Sequence, residues 1–261
     1  MDIMVCVVLF FNELYINLKY NLIRYVLIKN SYWTIDHKWI LIRHDNSTGD
    51  SHLRAGGKYM KHSKVTGLKA LSKTKFLSMY EAEYENRVGN KKSWMIASRK
   101  SEEVLKGKFF ENNKDDDDAV VIAALHKPSN KLVLVRQFRV PVNDFVYELT
   151  AGLIDEGEDF KTSVKRELKE ETGLDLKDIA ASKSKLYLSP GMTDECVNLV
   201  FCTCEGELSC DNMEEDECIE PMLISKEEAT EIIKSNNNLD IKCYLVLQNF
   251  IIFGEKLFDN L

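Results

Sequence analysis

The stretch GLIDEGEDFKTSVKRELKEETGL, residues 152–174, is the most informative part of this chain of 261 residues. Its residues Glu167, Glu170 and Glu171 are spaced three and four apart, which predicts that their carboxylates lie on one side of a helix. Like charges this close repel one another, so the pattern indicates a bound cation. Carboxylate oxygens are the ligands that Mg²⁺ and Mn²⁺ prefer. The segment therefore predicts a divalent metal site.

An amphipathic helix is predicted over residues 159–172, with Gly173 as its C-terminal cap. Its buried stripe repeats every four residues and comprises Phe160, Val164 and Leu168. At about 100° per residue, Glu171 and Glu167 lie beside this stripe, whereas Glu170 points furthest outwards. We therefore expect Glu171 and Glu167 to be the leading metal ligands and Glu170 to be the third.

The remaining polar residues of the segment predict a brace around this helix. Arg166 is adjacent to the glutamates but is expected to point away from them and to pair with Glu158 or Glu170. Gly152 permits close approach of the backbone, which would let the carbonyl oxygen of Ala151 face the metal. An ordinary charged surface helix is the alternative, but it does not account for the spacing.

All fixed positions of this segment match the pattern Gly-x5-Glu-x7-Arg-Glu-U-x-Glu-Glu-x-Gly-U, in which U is aliphatic. A chance match at a given position has a probability on the order of 10⁻⁹. The segment thus resembles the Nudix box. The resemblance implies an α+β fold, namely a Nudix α/β/α sandwich with a mixed sheet, preceded by a small N-terminal antiparallel β sheet. It also implies hydrolysis of a nucleoside diphosphate linked to another group, with Ala151 contributing a carbonyl ligand to Mg²⁺, or to Mn²⁺ as the alternative metal.

The flanks of the box narrow the resemblance. VRQFR (135–139), followed by YELTAG (147–152), is similar to the VRQFR…WELPAG stretch of ADP-ribose pyrophosphatases, with Thr150 in place of the usual proline. SPGMTDE (189–195) resembles a signature of the same subgroup, and Pro190 follows the box at the spacing that marks it. The expected reaction is hydrolysis of ADP-ribose to AMP and ribose 5-phosphate. Another nucleoside diphosphate sugar or dinucleotide substrate, or an ADP-ribose sensor without hydrolysis, are the alternatives.

The resemblance also implies substrate-binding residues outside the box. Arg139 and Glu148 are expected beside the substrate, since an arginine can bind phosphate through two hydrogen bonds. Trp94 is expected to stack on the adenine and Arg99 to contact the substrate. Trp94 as a core residue of a hairpin and Arg139 as a surface charge are the alternatives. The subgroup forms homodimers, so Trp94 and Arg99 are expected to act across a dimer interface.

A general base is expected in an acidic loop, MEEDECIE (213–220). Glu217 is the first candidate and Glu215 the second, with a plain solvated loop as the alternative. His126 lies in a predicted turn and is interpreted as solvated.

The composition is that of an ordinary globular protein, with 44% hydrophobic and 30% charged residues. The net charge of −7 argues against a nucleic-acid partner, because such surfaces are normally basic. Seven cysteines without a disulfide-like framework are typical of a cytoplasmic protein with reduced thiols. Cys202 and Cys204 lie in an apolar run, so core packing is preferred to a zinc site with Cys210 and Cys218.

The chain is predicted to have three parts: an extension of unknown role at 1–63, an N-terminal β subdomain at 64–115 and a catalytic domain at 116–261. Three interpretations of the extension stay open, namely a membrane-associating segment, an accessory packing element, or an upstream extension outside the functional protein. Charged residues interrupt every apolar run before it reaches membrane-spanning length, so no spanning helix is predicted there. Of the three interpretations we prefer the last. We expect no membrane association.

Hydrophobic patterns predict the elements of the folded region. A hairpin is expected over 76–100. Further strands are expected at 119–125, 131–138, 145–152, 185–189, 196–203 and 219–224. Two more helices are expected at 226–235, starting with a capping box at Ser225 and Glu228, and at 240–253.

Overall fold

The computed structural model describes residues 32–35, 38–41, 62–211 and 218–259. Strands β1 (Tyr32–Ile35) and β2 (Lys38–Leu41) pair as an antiparallel ribbon. This ribbon belongs to a unit separate from the body formed by residues 64–86 and 90–261. The rest of the predicted extension lies outside the described residues.

An antiparallel sheet of three strands begins the body, in the order β3 (Lys64–Lys73), β4 (Ser78–Glu85) and β5 (Lys91–Ser98). Strands β4 and β5 form the predicted hairpin. Helix α1 (Glu102–Phe110) follows and was not predicted. It begins because the Ser101 side chain accepts a hydrogen bond from the Val104 N–H, and it is anchored by the fully buried Leu105.

A mixed sheet of seven strands forms the centre of the body, in the order β10-β11-β6-β7-β12, with β8 paired to β7 and β9 paired to β6. Its strands are β6 (Ala119–His126), β7 (Lys131–Arg139), β8 (Asp144–Glu148), β9 (Thr150–Leu153), β10 (Asp175–Tyr187), β11 (Cys196–Glu205) and β12 (Ile219–Ile224). Strands β6 and β11 are parallel, and the other pairs are antiparallel. Every residue of β6 is buried, which agrees with its apolar run from Ala119 to Leu125.

The prediction of a single strand over 145–152 is wrong, because the chain changes its partner strand at Leu149. Strands β6 and β7 pair only next to their turn, at Leu125–Leu132 and His126–Lys131. They diverge beyond it, so β8 pairs with β7 and β9 pairs with β6. The strand predicted at 185–189 is also longer than expected, since β10 already begins directly after the box.

Helices cover both faces of this sheet. Helix α2 (Phe160–Thr172) packs on one face, against Val120 and Ile122. On the other face α4 (Ile241–Phe253) packs with α3 (Lys226–Lys234), and a short 3-10 helix (Gly254–Phe258) follows. Helix α3 begins with the predicted capping box. The result is the predicted α+β sandwich with a mixed sheet, preceded by a small antiparallel sheet.

The cysteines of β11 serve the core. Cys202 and Cys204 are fully buried, and burial raises the pKa of the Cys204 thiol to about 12. Thiols that stay protonated are poor metal ligands, which agrees with the core-packing interpretation. Within the part of the chain that the structure describes, no helix is long and apolar enough to cross a membrane.

Candidate active site

Helix α2, which carries the predicted metal ligands, is capped at both ends. The Asp159 carboxylate accepts hydrogen bonds from the N–H groups of Lys161 and Thr162 at 2.8 and 3.1 Å. Gly173 ends the helix with a φ of 75°, and a Cβ there would lie 2.7 Å from the backbone nitrogen of Ser209. The helix therefore ends where only glycine fits, as its sequence predicts.

The exposure of the three α2 glutamates agrees with the prediction that Glu170 points furthest outwards. Glu171 and Glu167 are 4% and 8% exposed, whereas the side chain of Glu170 is 42% exposed. Val164 and Leu168 of the predicted stripe are fully buried. Two carboxylates thus lie at the rim of the core, and the third faces solvent.

The backbone of strand β9 contacts the two buried carboxylates. A Cβ on Gly152 would fall inside the carboxyl group of Glu167, so the glycine leaves the space that this group occupies. The N–H of Ala151 donates a hydrogen bond to Glu171 Oε2 at 3.3 Å. The backbone that bears the predicted carbonyl ligand is therefore in contact with the predicted carboxylate ligands.

Arg166 connects the loop before the helix to the glutamates. Its guanidinium donates to both oxygens of Glu158 at 3.2 and 3.0 Å and to the carbonyl of Leu153 at 2.9 Å. It also donates to Glu167 at 2.6 Å and to Glu170 at 3.1 Å. The prediction that Arg166 points away from the leading ligands is therefore wrong, because a guanidinium has donors on several edges. Arg166 braces the loop and also neutralises part of the carboxylate charge.

Glu158 is the centre of this brace. It accepts hydrogen bonds from Arg166, from the Ser163 hydroxyl at 2.7 Å and from the Asp155 N–H at 3.3 Å. The bonds from Arg166 and Ser163 lower the pKa of Glu158 to about 2. Its carboxylate is thus ionised at physiological pH, and these bonds hold it within the loop before the helix.

The donor set at this site consists of hard oxygens, namely the carboxylates of Glu167, Glu170 and Glu171 and the carbonyl of Ala151. In the described ranges, no three His, Cys, Asp or Glu side chains already stand at metal-binding geometry. In this structure Arg166 donates hydrogen bonds to two of the carboxylates, those of Glu167 and Glu170. The oxygen donors and the low exposure of two of the carboxylates fit a hard divalent cation such as Mg²⁺ or Mn²⁺.

Arg139 and Glu148 form a bidentate ion pair beside the box. Arg139 Nε and Nη2 donate to the two Glu148 oxygens at 2.7 and 2.8 Å. This pair raises the pKa of Arg139, and the charge of Glu171 contributes to the same effect. Arg139 therefore lies within electrostatic reach of a predicted metal ligand, which disfavours the interpretation of an isolated surface charge.

Trp94 is not a core residue, since it is 54% exposed. Its indole N–H donates to the carbonyl of Gly191 at 3.0 Å, and Arg99 donates to Glu195 at 3.2 Å. Both partners belong to the segment 189–195 of the same chain. Trp94 and Arg99 thus hold the segment that contains Pro190 against the small sheet.

A buried charge cluster that was not predicted lies next to Arg99. Lys100 Nζ is 2.6 Å from Asp118 and 3.3 Å from Asp194. Burial lowers the pKa of Lys100, but Asp118 and Asp194 outweigh it and raise the value overall. An open pocket of about 380 Å³ adjoins the cluster, lined partly by Arg99, Lys100, Leu153 and Ile154. The acidic run 115–118 stands out in the sequence, but the sequence does not show that Lys100 pairs with it.

His126 is buried, and the prediction that it is solvated is wrong. Its Nδ1 lies 2.8 Å from the Ser129 hydroxyl and its Nε2 lies 3.0 Å from the carbonyl of Gly206. Both ring nitrogens are used in joining two turns, so His126 serves structure. Glu215 and Glu217, the candidates for the general base, lie outside the described residues.

Part of this chain matches a known protein family. A family model described as the NUDIX domain matches residues 115–243. The ADP-ribose pyrophosphatase of Bacillus subtilis (strain 168) is 32% identical over 124 residues, which cover 46% of this chain and 65% of that enzyme. The ADP-ribose pyrophosphatase of Saccharomyces cerevisiae is 31% identical over 145 residues, covering 54% of this chain and 58% of the yeast enzyme. The chain thus spans less than two thirds of either relative.

The fold also matches a solved structure. The crystal structure of an ADP compounds hydrolase superposes with a TM-score of 0.57 at 16% identity, covering 75% of this chain and 95% of that one. At this identity, the match supports the fold alone.

Proposed function

Because this chain belongs to the Nudix family, we propose that it hydrolyses the pyrophosphate bond of ADP-ribose to AMP and ribose 5-phosphate with bound Mg²⁺. The observation that carries the proposal is the arrangement of the α2 glutamates, with Glu167 and Glu171 at the rim of the core against Gly152 and Ala151. The two similar ADP-ribose pyrophosphatases support the choice of substrate.

The residues that would hold the cation are Glu167, Glu170, Glu171 and the carbonyl of Ala151. When bound, such a cation neutralises a diphosphate and acidifies a water molecule for attack on phosphorus. Arg166 contributes a positive charge to this site, and its contacts with Glu158 fix the loop before the helix.

The proposed substrate contacts surround the box. Arg139 would exchange its bidentate contact with Glu148 for one with the diphosphate, because carboxylate and phosphate offer a guanidinium the same geometry. Trp94 presents a half-exposed ring that can stack on the adenine, and Arg99 lies beside it. Glu217, with Glu215 as the second candidate, would take the proton of the attacking water.

We also propose a homodimer, assembled through the small N-terminal sheet. Apolar side chains on its strands are exposed, among them Met79 and Met95. Trp94 and Arg99 contact their own chain's segment 189–195, so a cross-chain role would use their exposed surfaces. Sedimentation equilibrium is the test, and a monomer at micromolar concentration would exclude the dimer.

A second candidate function is hydrolysis of another nucleoside diphosphate sugar or of a dinucleotide, because side chains outside the box select the leaving group. A third is an ADP-ribose sensor that binds without hydrolysis. The complete set of box glutamates favours hydrolysis, since a sensor does not need them.

A hydrolysis panel tests the proposal. The full chain with Mg²⁺ is assayed against ADP-ribose, ADP-glucose, GDP-mannose, NADH, FAD and diadenosine polyphosphates, with Glu171→Gln as the control for contaminating activity. Preferred release of AMP from ADP-ribose is expected. Preference for another substrate would reassign the enzyme, and tight binding of ADP-ribose without cleavage would identify a sensor.

A further inference from the structure

The hydroxyl of Thr150 is a buried polar group that calls for an explanation. Thr150 is fully buried, and its Oγ1 has no hydrogen-bond partner among the described residues. Buried hydroxyls in folded proteins are nearly always hydrogen-bonded, and the exceptions are often completed by a ligand, an ion or water. The subgroup that this chain resembles has proline here, so the hydroxyl is a property of this chain.

The strand register places Thr150 on the face of the sheet that α2 covers. Thr150 is paired with Ile122, and Gly152 is paired with Val120. The side chains of Ile122 and Val120 both pack against α2. Cross-strand partners point to the same face of a sheet, so Thr150 also faces the helix.

The spacing along β9 and α2 brings Thr150 level with Glu171. Gly152 follows Thr150 by two residues in β9, and it lies against Glu167 of α2. Two strand residues span about 6.6 Å, and the four helix residues from Glu167 to Glu171 span about 6 Å. The contact between Glu171 and the N–H of Ala151, the residue after Thr150, agrees with this alignment.

We propose that Thr150 is a positioning residue for Glu171, whose carboxylate accepts the Thr150 hydroxyl hydrogen when a divalent cation is bound. The inference rests on the cation site of the proposed function but not on the choice of ADP-ribose. Carboxylates that bind metals are commonly oriented by such hydrogen bonds. Asn198 Oδ1 is a second buried atom without a described partner, but its register with Val120 places it in the row of Gly152, away from Glu171.

The test compares Thr150→Val, which removes only the hydroxyl, with Thr150→Ser, which keeps it. Mn²⁺ affinity is measured by calorimetric titration of the full chain without substrate, and the Tm is measured in EDTA. For Thr150→Val we expect Mn²⁺ affinity to fall about 10- to 100-fold. Its metal-free Tm should rise, because an unsatisfied buried group is removed. Thr150→Ser should keep Mn²⁺ affinity within about threefold of wild type.

Thr203→Val is the matched control, since Thr203 is a buried threonine of strand β11, which pairs with β6 but not with β9. It should leave Mn²⁺ affinity unchanged. Unchanged Mn²⁺ affinity in Thr150→Val would overturn the inference, as would a lower metal-free Tm, which would show a protein partner for the hydroxyl. Because no readout involves a nucleotide, failure of the ADP-ribose assignment leaves this test intact.

Discussion

The carboxyl group of Glu167 fills the space that a side chain on Gly152 would need. The strand and the helix are therefore fitted to each other at a single glycine. The fit explains why this strand can approach a buried carboxylate, since any Cβ on Gly152 would displace it.

Gly152→Ala should lower kcat about 100-fold, because displacement of a reacting group by about 1 Å has an effect of this size. Steady-state hydrolysis of the preferred substrate is the measurement. Gly67→Ala in β3 is the control, since an added Cβ there meets only the flexible side chain of Glu83. Wild-type turnover in Gly152→Ala would show that the position of Glu167 is not needed.

Glu171→Gln should lower kcat by about 10²- to 10³-fold, because it removes a charged ligand worth several kcal/mol of transition-state stabilisation. Glu170→Gln should have a smaller effect, since Glu170 is more exposed and is already paired with Arg166. Circular dichroism verifies that both variants fold. Equal losses in the two variants would contradict the ranking of the ligands by burial.

Much of the helix could be predicted, because its determinants are local. The four-residue repeat of Val164 and Leu168, together with Asp159 and Gly173 at the ends, fixes the boundaries and the burial of the glutamates. Each of these features depends on residues within one or two helical turns.

The remaining features depend on tertiary contacts. Arg166 reaches Glu167 although neighbours in sequence do not face each other on a helix, because its side chain is long and carries donors on several edges. Lys100 and Asp194 form an ion pair between distant parts of the chain, which no periodicity reveals. The division at Leu149 follows from the divergence of two other strands. Such features require the folded structure.

Arg139→Lys should raise the KM for ADP-ribose about tenfold, because lysine keeps the charge but cannot form the bidentate contact that is made to Glu148. Arg136→Lys is the matched control on the same strand, where Arg136 pairs with the exposed Glu220 at 2.8 Å. It should change KM less than about threefold. Similar KM values in the two variants would show that Arg139 is a surface charge without a contact to the substrate.

The ion pair of Glu158 with Arg166 predicts a specific acid dependence of stability. The pKa of Glu158 is lowered from 4.5 to about 2, so the fold favours its ionised form. This contribution is complete above pH 4.5 and is lost as the pH falls towards 2. Glu158→Gln should therefore have a lower Tm at pH 7 and a smaller further decline between pH 4.5 and 2.5. Thermal unfolding as a function of pH measures both effects, with Glu156→Gln in the same loop as the control; equal acid declines in wild type and Glu158→Gln would contradict the assignment.

Glu217→Gln tests the general base. Removal of a general base typically lowers turnover by about 10²- to 10⁴-fold, so kcat should fall within that range while Mn²⁺ affinity stays unchanged. Glu215→Gln is the comparison, because it removes the same charge from the same acidic stretch of sequence. A loss of less than about tenfold in Glu217→Gln together with a large loss in Glu215→Gln would assign the proton transfer to Glu215. Small losses in both variants would place the base outside this acidic stretch.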